Sequence, residues 1–211
     1  MARPPDLAWF LEEYRNHERG IRNKDDRYYW WIPLDRPILT ACKEHPGHSD
    51  SDYSEVYAKV AMVNRMYSAQ LGRGKIGRYD AEDRVAKALC KSDIDKFIKP
   101  LREEVSLTED VLPKVLTCHD RLVAIVRQGT RKYELSFSSK YLSFHVPGVV
   151  PIFDSRAGWT ARKILPDNSD LRGYGAYEKH CRRILALIDL LVKKKIKPDL
   201  KTIDYVLYSD L

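Results

Sequence analysis

Cysteine is scarce in this chain and long hydrophobic runs are lacking, and each shortage excludes a class of protein. The four cysteines, at positions 42, 90, 118 and 181, show no CxxC spacing, so neither a disulfide framework nor a zinc ribbon is predicted. No apolar stretch approaches the roughly 18 residues that a membrane helix needs. The first residues also lack the pattern of a signal peptide. We therefore expect a cytoplasmic protein without membrane contact.

Candidate metal ligands are also sparse. Cys42, His45 and His48 follow one another at regular spacing and could form part of a metal cluster. Their segment is a polar loop with no apparent fourth ligand, whereas a structural metal site needs about four ligands. We therefore predict neither a metal ion nor any other cofactor.

The composition indicates a basic protein with enough apolar residues for one core. The 211 residues carry 37 Lys+Arg against 30 Asp+Glu, which gives a net charge of +7, and 44% of them are hydrophobic. A chain of this size suits one domain, or two small lobes that share a core. A positive surplus favours polyanionic partners, above all nucleic acid, although many enzymes carry such a charge by chance. We expect a monomer that binds nucleic acid.

The hydrophobic pattern is helical along the chain, without the alternation that marks strands. We predict an all-α domain over residues 1–211 with no internal repeat, and we expect Asp80 and Thr108 to start two of its helices. The expected helices cover residues 5–18, 54–70, 80–90, 108–127, the segment around 140, and residues 155–165, 177–192 and 198–207. A glycine-rich basic loop at 72–78 would divide the domain into lobes 1–72 and 78–211.

Two residues between positions 136 and 165 could carry chemistry. Lys140 is expected on the first turn of an apolar helix, and Asp154 is expected at the start of the next helix. Two successive helix starts can direct an amine and a carboxylate into one cleft. Desolvation disfavours the charged form of a lysine, so an amine in apolar surroundings can act as a nucleophile. Each residue also has an ordinary interpretation: Lys140 covers apolar surface with its stem, and Asp154 caps its helix.

The segments that contain these residues resemble a known family. Ser-Ser-Lys at 138–140 and Pro-Ile-Phe-Asp-Ser-Arg at 151–156 are similar to the lysine and aspartate region of the helix-hairpin-helix DNA glycosylases, in particular the 8-oxoguanine DNA glycosylases. The resemblance implies a two-lobed helical fold. It also implies that Lys140 attacks the sugar C1′ of a flipped-out nucleotide, while Asp154 stabilises the sugar cation or activates the amine.

Two features depart from the pattern of that family. The family has a glycine-rich hairpin before its lysine, whereas here the corresponding region contains a single glycine, Gly129. The interval between Lys140 and Asp154 is also short for the family. A different turn, or none, would therefore hold the DNA phosphate.

The resemblance also implies which residues would hold DNA. The residues expected to bind the DNA backbone lie near the two helix starts and in the glycine-rich loop: Ser139, Ser155, Arg156, Arg162, Lys163, Arg73 and Lys75. A flipped base needs aromatic stacking and hydrogen bonds to its edges. The candidates for such a base pocket are Trp30, Asn64, Tyr67 and His145. Solvated helix faces and core packing are the ordinary interpretations of these side chains.

Together these features predict a DNA glycosylase with AP lyase activity. Its substrate would be double-stranded DNA with a modified base, either oxidised guanine or a hypermodified base of the kind found in phage genomes. The role would be DNA repair at the bacterial nucleoid, or antiviral defence. Two alternatives remain open: a helical module that binds nucleic acid without catalysis, and a helical interaction protein whose basic face meets an acidic partner.

Overall fold

Helices make up the regular structure of this protein, as the sequence predicts. A computed structural model describes residues 5–19, 31–67, 69, 71, 77–166, 171, 173 and 175–208. Within those residues there is no strand, and Asp50–Asp52 forms a 3₁₀ turn. The α-helices, in chain order, are α1 (Leu7–Glu18), α2 (Trp31–Glu44), α3 (Tyr53–Met66), α4 (Arg78–Cys90), α5 (Asp95–Arg102), α6 (Leu112–Thr130), α7 (Leu135–His145), α8 (Ser155–Ile164), α9 (Ala176–Lys193) and α10 (Leu200–Tyr208). The all-α prediction is confirmed.

Contacts between Cα atoms divide the chain into two compact units. Residues 1–32 and 151–211 form one, which we call the terminal unit, and residues 33–150 form the other, the central unit. This division differs from the lobes expected on either side of residues 72–78, because the chain leaves the first unit at Ile32 and returns to it at Pro151. The prediction of a single domain over 1–211 stays a prediction.

The terminal unit is built around α10. This helix packs on α1 and on α8, and α8 packs in turn on α9. Tyr14 of α1 joins the two ends of the chain, because its hydroxyl donates to the carbonyl oxygen of Lys197 at 2.9 Å and accepts from the backbone N–H of Asp199 at 2.7 Å. Fully buried apolar side chains fill the interior of this unit, among them Phe10, Ala161, Ile184, Leu187 and Ile203.

The central unit surrounds one helix that is buried along most of its length. Helix α4 packs between α3 and α6, and α7 contacts α3, α5 and α6. Every residue of α7 from Phe137 to His145 is buried, polar side chains included. A helix that is covered on all its faces lies in the core of its unit rather than at the surface. Lys140 is therefore a core residue of the central unit.

Several helix boundaries differ from those that the sequence predicts. Helix α4 begins at Arg78 with Gly77 as its N-cap, so Asp80 lies inside the first turn and is not the cap. Thr108 precedes α6 by a turn and only supports it, through a hydrogen bond from the Val111 N–H to Thr108 Oγ1 at 3.3 Å. Lys140 is the sixth residue of α7, so it lies in the second turn and not the first. Caps depend on local bonds that several nearby polar residues could make, which is why sequence patterns place them poorly.

Gly129 belongs to a helix and not to a hairpin. It lies near the end of α6, at the point where that helix crosses α4. A Cβ atom at Gly129 would lie 2.9 Å from the backbone nitrogen of Val85 and 3.0 Å from the carbonyl carbon of Arg84. The glycine thus allows two backbones to approach closely. It does not form the turn that holds a phosphate in the glycosylases.

Candidate functional site

The amine of Lys140 caps the end of another helix. Its Nζ donates a hydrogen bond of 3.1 Å to the carbonyl oxygen of Tyr67, and Tyr67 is the C-cap residue of α3. The last carbonyl groups of a helix have no partner within the helix and carry a partial negative charge. Lys140 is only 4% exposed, so this contact is made inside the central unit. The bond gives Lys140 an ordinary structural role.

Aromatic residues neighbour Lys140 along α7, as the sequence predicts. Phe137, Tyr141 and Phe144 are all buried. The ring of Phe144 also meets the ring of Tyr67 edge to face, with centroids 4.9 Å apart. One of these aromatic rings therefore packs on the residue whose carbonyl group accepts the hydrogen bond from Lys140.

Asp154 is the N-cap of α8, and the prediction of that role is confirmed. Its Oδ1 accepts hydrogen bonds from the backbone N–H groups of Arg156 and Ala157, at 2.9 and 3.0 Å. Its Oδ2 accepts a hydrogen bond from the hydroxyl group of Tyr208, on the last turn of α10. Donors on both oxygens hold the carboxylate in one orientation.

A cleft of about 290 Å³ opens beside Asp154 within the terminal unit. Its walls come from the segment before α8, from α8 itself and from α9. The residues that line it are Phe153, Asp154, Ser155, Gly158, Arg162, Ala176, Lys179, His180 and Arg183. We call it the α8–α9 cleft. Among the described residues, its lining combines one carboxylate with three cationic side chains, and the charge of this lining is positive.

Both arginines of the cleft are oriented by backbone carbonyl groups. Arg183 is buried and donates from Nε to the carbonyl oxygen of Leu165 at 2.9 Å. Arg162 is exposed and donates from Nε to the carbonyl oxygen of Gly158 at 3.3 Å. Burial lowers the pKa of Arg183, and the positive charge of Arg162 lowers it further.

His180 contributes a neutral imidazole to the α8–α9 cleft. Its Nε2 lies 2.9 Å from the carbonyl oxygen of Ile152, and since a carbonyl only accepts, Nε2 must carry the proton. Burial lowers the pKa of His180 to about 4, so the ring is neutral at pH 7. Nδ1 is then an acceptor, and it is buried without a hydrogen-bond partner among the described residues.

The residues expected to bind the DNA backbone have different locations. Ser155 and Arg162 line the α8–α9 cleft, Arg156 is exposed on the first turn of α8, and Lys163 stands 5.5 Å from the centre of the Trp159 ring. Arg73 and Lys75 lie outside the described residues. Ser139 is fully buried and donates to the carbonyl oxygen of Ser136 at 3.1 Å. The expectation that Ser139 contacts a phosphate is thus at odds with its burial in α7.

The expected base-pocket residues of the central unit form contacts with other residues of the same unit. Asn64 donates from Nδ2 to Glu82 Oε1 at 2.8 Å and accepts from the Leu71 N–H at 2.8 Å, so both ends of its amide are occupied. Tyr67 packs on Phe144, and His145 is buried with its Nδ1 3.2 Å from Arg102 Nη2. Trp30 lies outside the described residues. Asn64 and His145 are buried, whereas Tyr67 is half-buried, so the base-pocket role of these residues stays a prediction.

Sequence reasoning missed a polar group in the central unit, which we call the histidine cluster. It consists of the buried residues His48, Tyr141 and His145 and the partly exposed Asp95. His48 Nδ1 lies 2.7 Å from Asp95 Oδ1, and His48 Nε2 lies 2.9 Å from the hydroxyl of Tyr141. The ring of His145 has its centroid 4.9 Å from those of both His48 and Tyr141. Burial lowers the pKa of His48, against the effect of Asp95, and holds that of His145 well below its usual range. The sequence signals were His48, in a loop that was weighed for metal binding, and His145, which was expected in the base pocket.

The expectations about metals and membranes meet no contrary observation. Both ring nitrogens of His48 are engaged by Asp95 and Tyr141, and no group of three potential metal ligands occurs in the part of the chain that the structure describes. Within the same ranges, no helix is both long and apolar enough to cross a bilayer.

Lys140 and Asp154 belong to different units. Lys140 lies in the central unit and Asp154 in the terminal unit, with the boundary at Val150 and Pro151. Asp154, Ser155 and Arg162 meet in one cleft, so part of the predicted site is assembled within the terminal unit. The pairing of the amine with the carboxylate stays a prediction.

One protein family matches this chain. The family model HI_0787_N, described as an N-terminal domain, matches residues 23–149, which is more than half of the chain. The match ends at residue 149, one residue before the central unit ends, so it includes Lys140 and stops before Asp154. No curated protein and no solved structure matches the chain. On the length of this match, the chain belongs to the HI_0787_N family.

Proposed function

We propose that this protein is a DNA glycosylase with AP lyase activity, in which Lys140 is the nucleophile and Asp154 the catalytic carboxylate. The observation that carries the proposal is the position of Asp154, a fixed N-cap carboxylate at the edge of a cleft with three cations. Cationic side chains beside a carboxylate suit a phosphate-bearing substrate. The burial of Lys140 supports the other half of the proposal.

The proposed reaction needs an amine and a carboxylate in these roles. The amine forms a bond to the sugar C1′ while the bond from C1′ to the base breaks, and the base leaves and takes up a proton. Loss of a proton from the amine and opening of the sugar ring then give a Schiff base. β-Elimination removes a proton from C2′ and breaks the bond between C3′ and its phosphate oxygen, which nicks the strand. Among side chains, lysine is the one that forms such an imine.

Asp154 would act through its charge. Positive charge develops on the sugar as the base leaves, and a carboxylate held in one orientation stabilises it without having to reorganise. The donors on both oxygens of Asp154 provide that orientation. The proposal requires that this carboxylate and the Lys140 amine reach the same nucleotide, and that the amine releases the carbonyl group of Tyr67.

A second candidate is a nucleic-acid-binding module without catalysis. The hydrogen bond from Lys140 to the C-cap carbonyl of α3 favours it, because that bond accounts for a buried lysine in structural terms alone. The cations of the α8–α9 cleft and of α8 would then hold the phosphate backbone. In this case binding would depend on salt and no covalent intermediate would form.

Borohydride trapping distinguishes the two candidates. The wild-type protein would be incubated with double-stranded oligonucleotides that contain an abasic site, 8-oxoguanine or a panel of other modified bases. We expect covalent capture by the wild type and none by Lys140→Gln. Peptide mapping of the captured protein would identify the attached lysine directly.

A matched control comes from a second buried lysine of the central unit. Lys59 is fully buried and donates to the carbonyl oxygens of His45 and Gly47, at 2.6 and 3.2 Å. Burial lowers its pKa, so it too could serve as an amine nucleophile. We expect Lys59→Gln to be captured like the wild type. Capture of Lys140→Gln would overturn the assignment of Lys140, and salt-dependent binding without capture on the whole panel would favour the module.

A further inference from the structure

The exposed side of α8 combines an aromatic ring with positive charge. Ala157, Ala161 and Ile164 are buried on the other side of this helix, which packs on α9 and α10. We call the exposed side the outer face of α8. It consists of one large aromatic residue, three cations and a serine: Ser155, Arg156, Trp159, Arg162 and Lys163.

Trp159 exposes a large part of its side chain to solvent. Its exposed fraction is 42%, whereas tryptophan is highly buried on average. Exposed tryptophans are enriched where one molecule binds another, because the indole ring offers a large, rigid apolar surface. Single apolar residues at a surface are also common without any role, so the charge around Trp159 has to show whether this one marks a binding surface.

The charge of the outer face has one sign. Residues 155–166 include no aspartate or glutamate, so no carboxylate within the helix offsets its three cations. Arg156 precedes Trp159 by three residues and Lys163 follows it by four, which places both one helical turn from the ring. The Nζ atom of Lys163 is 5.5 Å from the centre of that ring. A polyanion with an apolar surface of its own complements this arrangement.

Single-stranded nucleic acid is the polyanion that fits an aromatic ring between cations. Proteins hold such strands with positive charge along the phosphate backbone and with aromatic rings on which the bases stack. A base inside a duplex is already stacked between its neighbours, so it has no free face for an indole ring. An acidic peptide has carboxylates for the cations, but it lacks a base to cover the tryptophan.

We propose that the outer face of α8 binds an unpaired stretch of DNA, with Trp159 stacked on a base and Arg156 and Lys163 on the neighbouring phosphates. The choice of DNA rests on the proposed function, and the inference adds to it a preference for unpaired bases. Trp159 and Lys163 do not line the α8–α9 cleft. The outer face is therefore a contact region beyond the one that contains Asp154.

Equilibrium binding to unmodified DNA tests the inference without any chemistry. The affinities of each variant for a labelled single strand and for the corresponding duplex would be measured at one salt concentration. Trp159→Leu keeps an apolar side chain but removes the stacking surface. We expect it to bind the single strand about tenfold more weakly than the wild type does, and the duplex with an affinity changed by less than about twofold.

Tyr133→Leu is the matched control for the aromatic ring. Tyr133 is 66% exposed, and the guanidinium carbon of Arg127 is 4.3 Å from the centre of its ring, so the central unit has an exposed aromatic ring beside a cation as well. This variant should bind both forms of DNA like the wild type. Lys163→Gln removes a phosphate contact, so it should weaken binding to the single strand and the duplex in similar proportion.

Photochemical crosslinking reports the stacking in the wild-type protein itself. A single strand that contains 5-iodouracil is joined by ultraviolet light to an aromatic ring that stacks on this base, and peptide mapping identifies the ring. We expect the crosslink at Trp159. Circular dichroism and thermal unfolding show whether Trp159→Leu retains the fold, and the crosslink alone decides the matter if it does not.

The outcomes separate this inference from the proposed function. The inference is wrong if the protein binds neither form of DNA, if the crosslink forms at another residue, or if Trp159→Leu weakens binding to the single strand and the duplex alike. It is also wrong if Trp159→Leu weakens binding to polyglutamate as much as to the single strand, which would indicate an acidic protein partner. Borohydride trapping depends on Lys140 instead, so trapping can fail while Trp159 still binds an unpaired base, or succeed when Trp159 does not.

Discussion

Tyr208 donates a hydrogen bond from its hydroxyl group to Oδ2 of Asp154. This bond joins the last turn of α10 to the N-cap of α8, two helices that also pack on each other. The other oxygen of Asp154 is engaged by backbone N–H groups. Tyr208 is thus a positioning residue for the carboxylate at the edge of the α8–α9 cleft.

Tyr208→Phe should loosen Asp154 without removing its capping role. The two N–H bonds to Oδ1 remain, so we expect a loss of only about 1 kcal/mol in the free energy of unfolding. The rate of borohydride trapping should fall about tenfold, since a less fixed carboxylate stabilises the sugar cation less well. Thermal unfolding and single-turnover trapping measure the two effects.

Tyr205→Phe is the control for this change. Tyr205 lies on the same helix, and its ring stacks on His17 with centroids 5.3 Å apart. The variant loses a hydroxyl group without touching Asp154, so its trapping rate should equal that of the wild type. Equal trapping rates for the two tyrosine variants would show that Tyr208 does not position the carboxylate.

Gly129→Ala should destabilise the central unit. An alanine inside a helix ordinarily gains stability over glycine, but here the new Cβ would meet the backbone of α4 at 2.9 Å. Backbone cannot move aside as the end of a side chain can, so we expect a loss of about 1–3 kcal/mol. Urea unfolding gives the difference.

The glycine control is Gly175→Ser. A Cβ at Gly175 would have no atom of the described residues within 4 Å, and Gly175 is the N-cap of α9, where serine is favoured. This variant should be at least as stable as the wild type. A stable Gly129→Ala variant would mean that α4 and α6 can separate at their crossing without cost.

The sequence was sufficient for features that depend on local pattern. The helical period predicts α9 within a residue of its observed bounds, and an aspartate before Ser-Arg-Ala predicts the N-cap role of Asp154. It was insufficient where the partner is distant in the chain. Lys140 bonds to Tyr67, 73 positions away, and His48 bonds to Tyr141, 93 positions away. Neither partner can be read from spacing, because tertiary packing alone brings them together.

Three of the buried histidines, His48, His145 and His180, should make stability fall in mild acid. Burial lowers the pKa values of His48 and His145, and that of His180 to about 4, so all three are neutral in the folded protein. In the unfolded chain each takes up a proton near pH 6.5. The unfolded state therefore binds more protons below that pH, and stability decreases as the pH falls from about 6.5 towards 4.

Urea unfolding at several pH values between 7.5 and 5 measures this dependence. His145→Leu removes one of the three titrating groups, so its stability should fall less steeply with decreasing pH. His45→Gln removes an exposed histidine beyond the histidine cluster and should leave the slope as in the wild type. If His145→Leu had the wild-type slope, His145 would not be held neutral by the fold.

A substitution at Asn64 distinguishes a base-pocket role for this residue from a structural one. Its amide joins Glu82 to the Leu71 N–H, and Glu82 is fully buried and also pairs with Arg65 at 2.5 Å. Asn64→Leu should cost about 1–3 kcal/mol in the free energy of unfolding, because it leaves a buried backbone donor and part of a buried carboxylate unpaired. Ser54→Ala, at an exposed position of the same helix, should change stability by less than about 0.5 kcal/mol.

At a temperature where both variants are folded, the relative trapping yields across the panel of modified bases should match those of the wild type. If Asn64→Leu changed the relative trapping yields of the modified bases and Ser54→Ala did not, the base-pocket role of Asn64 would be supported.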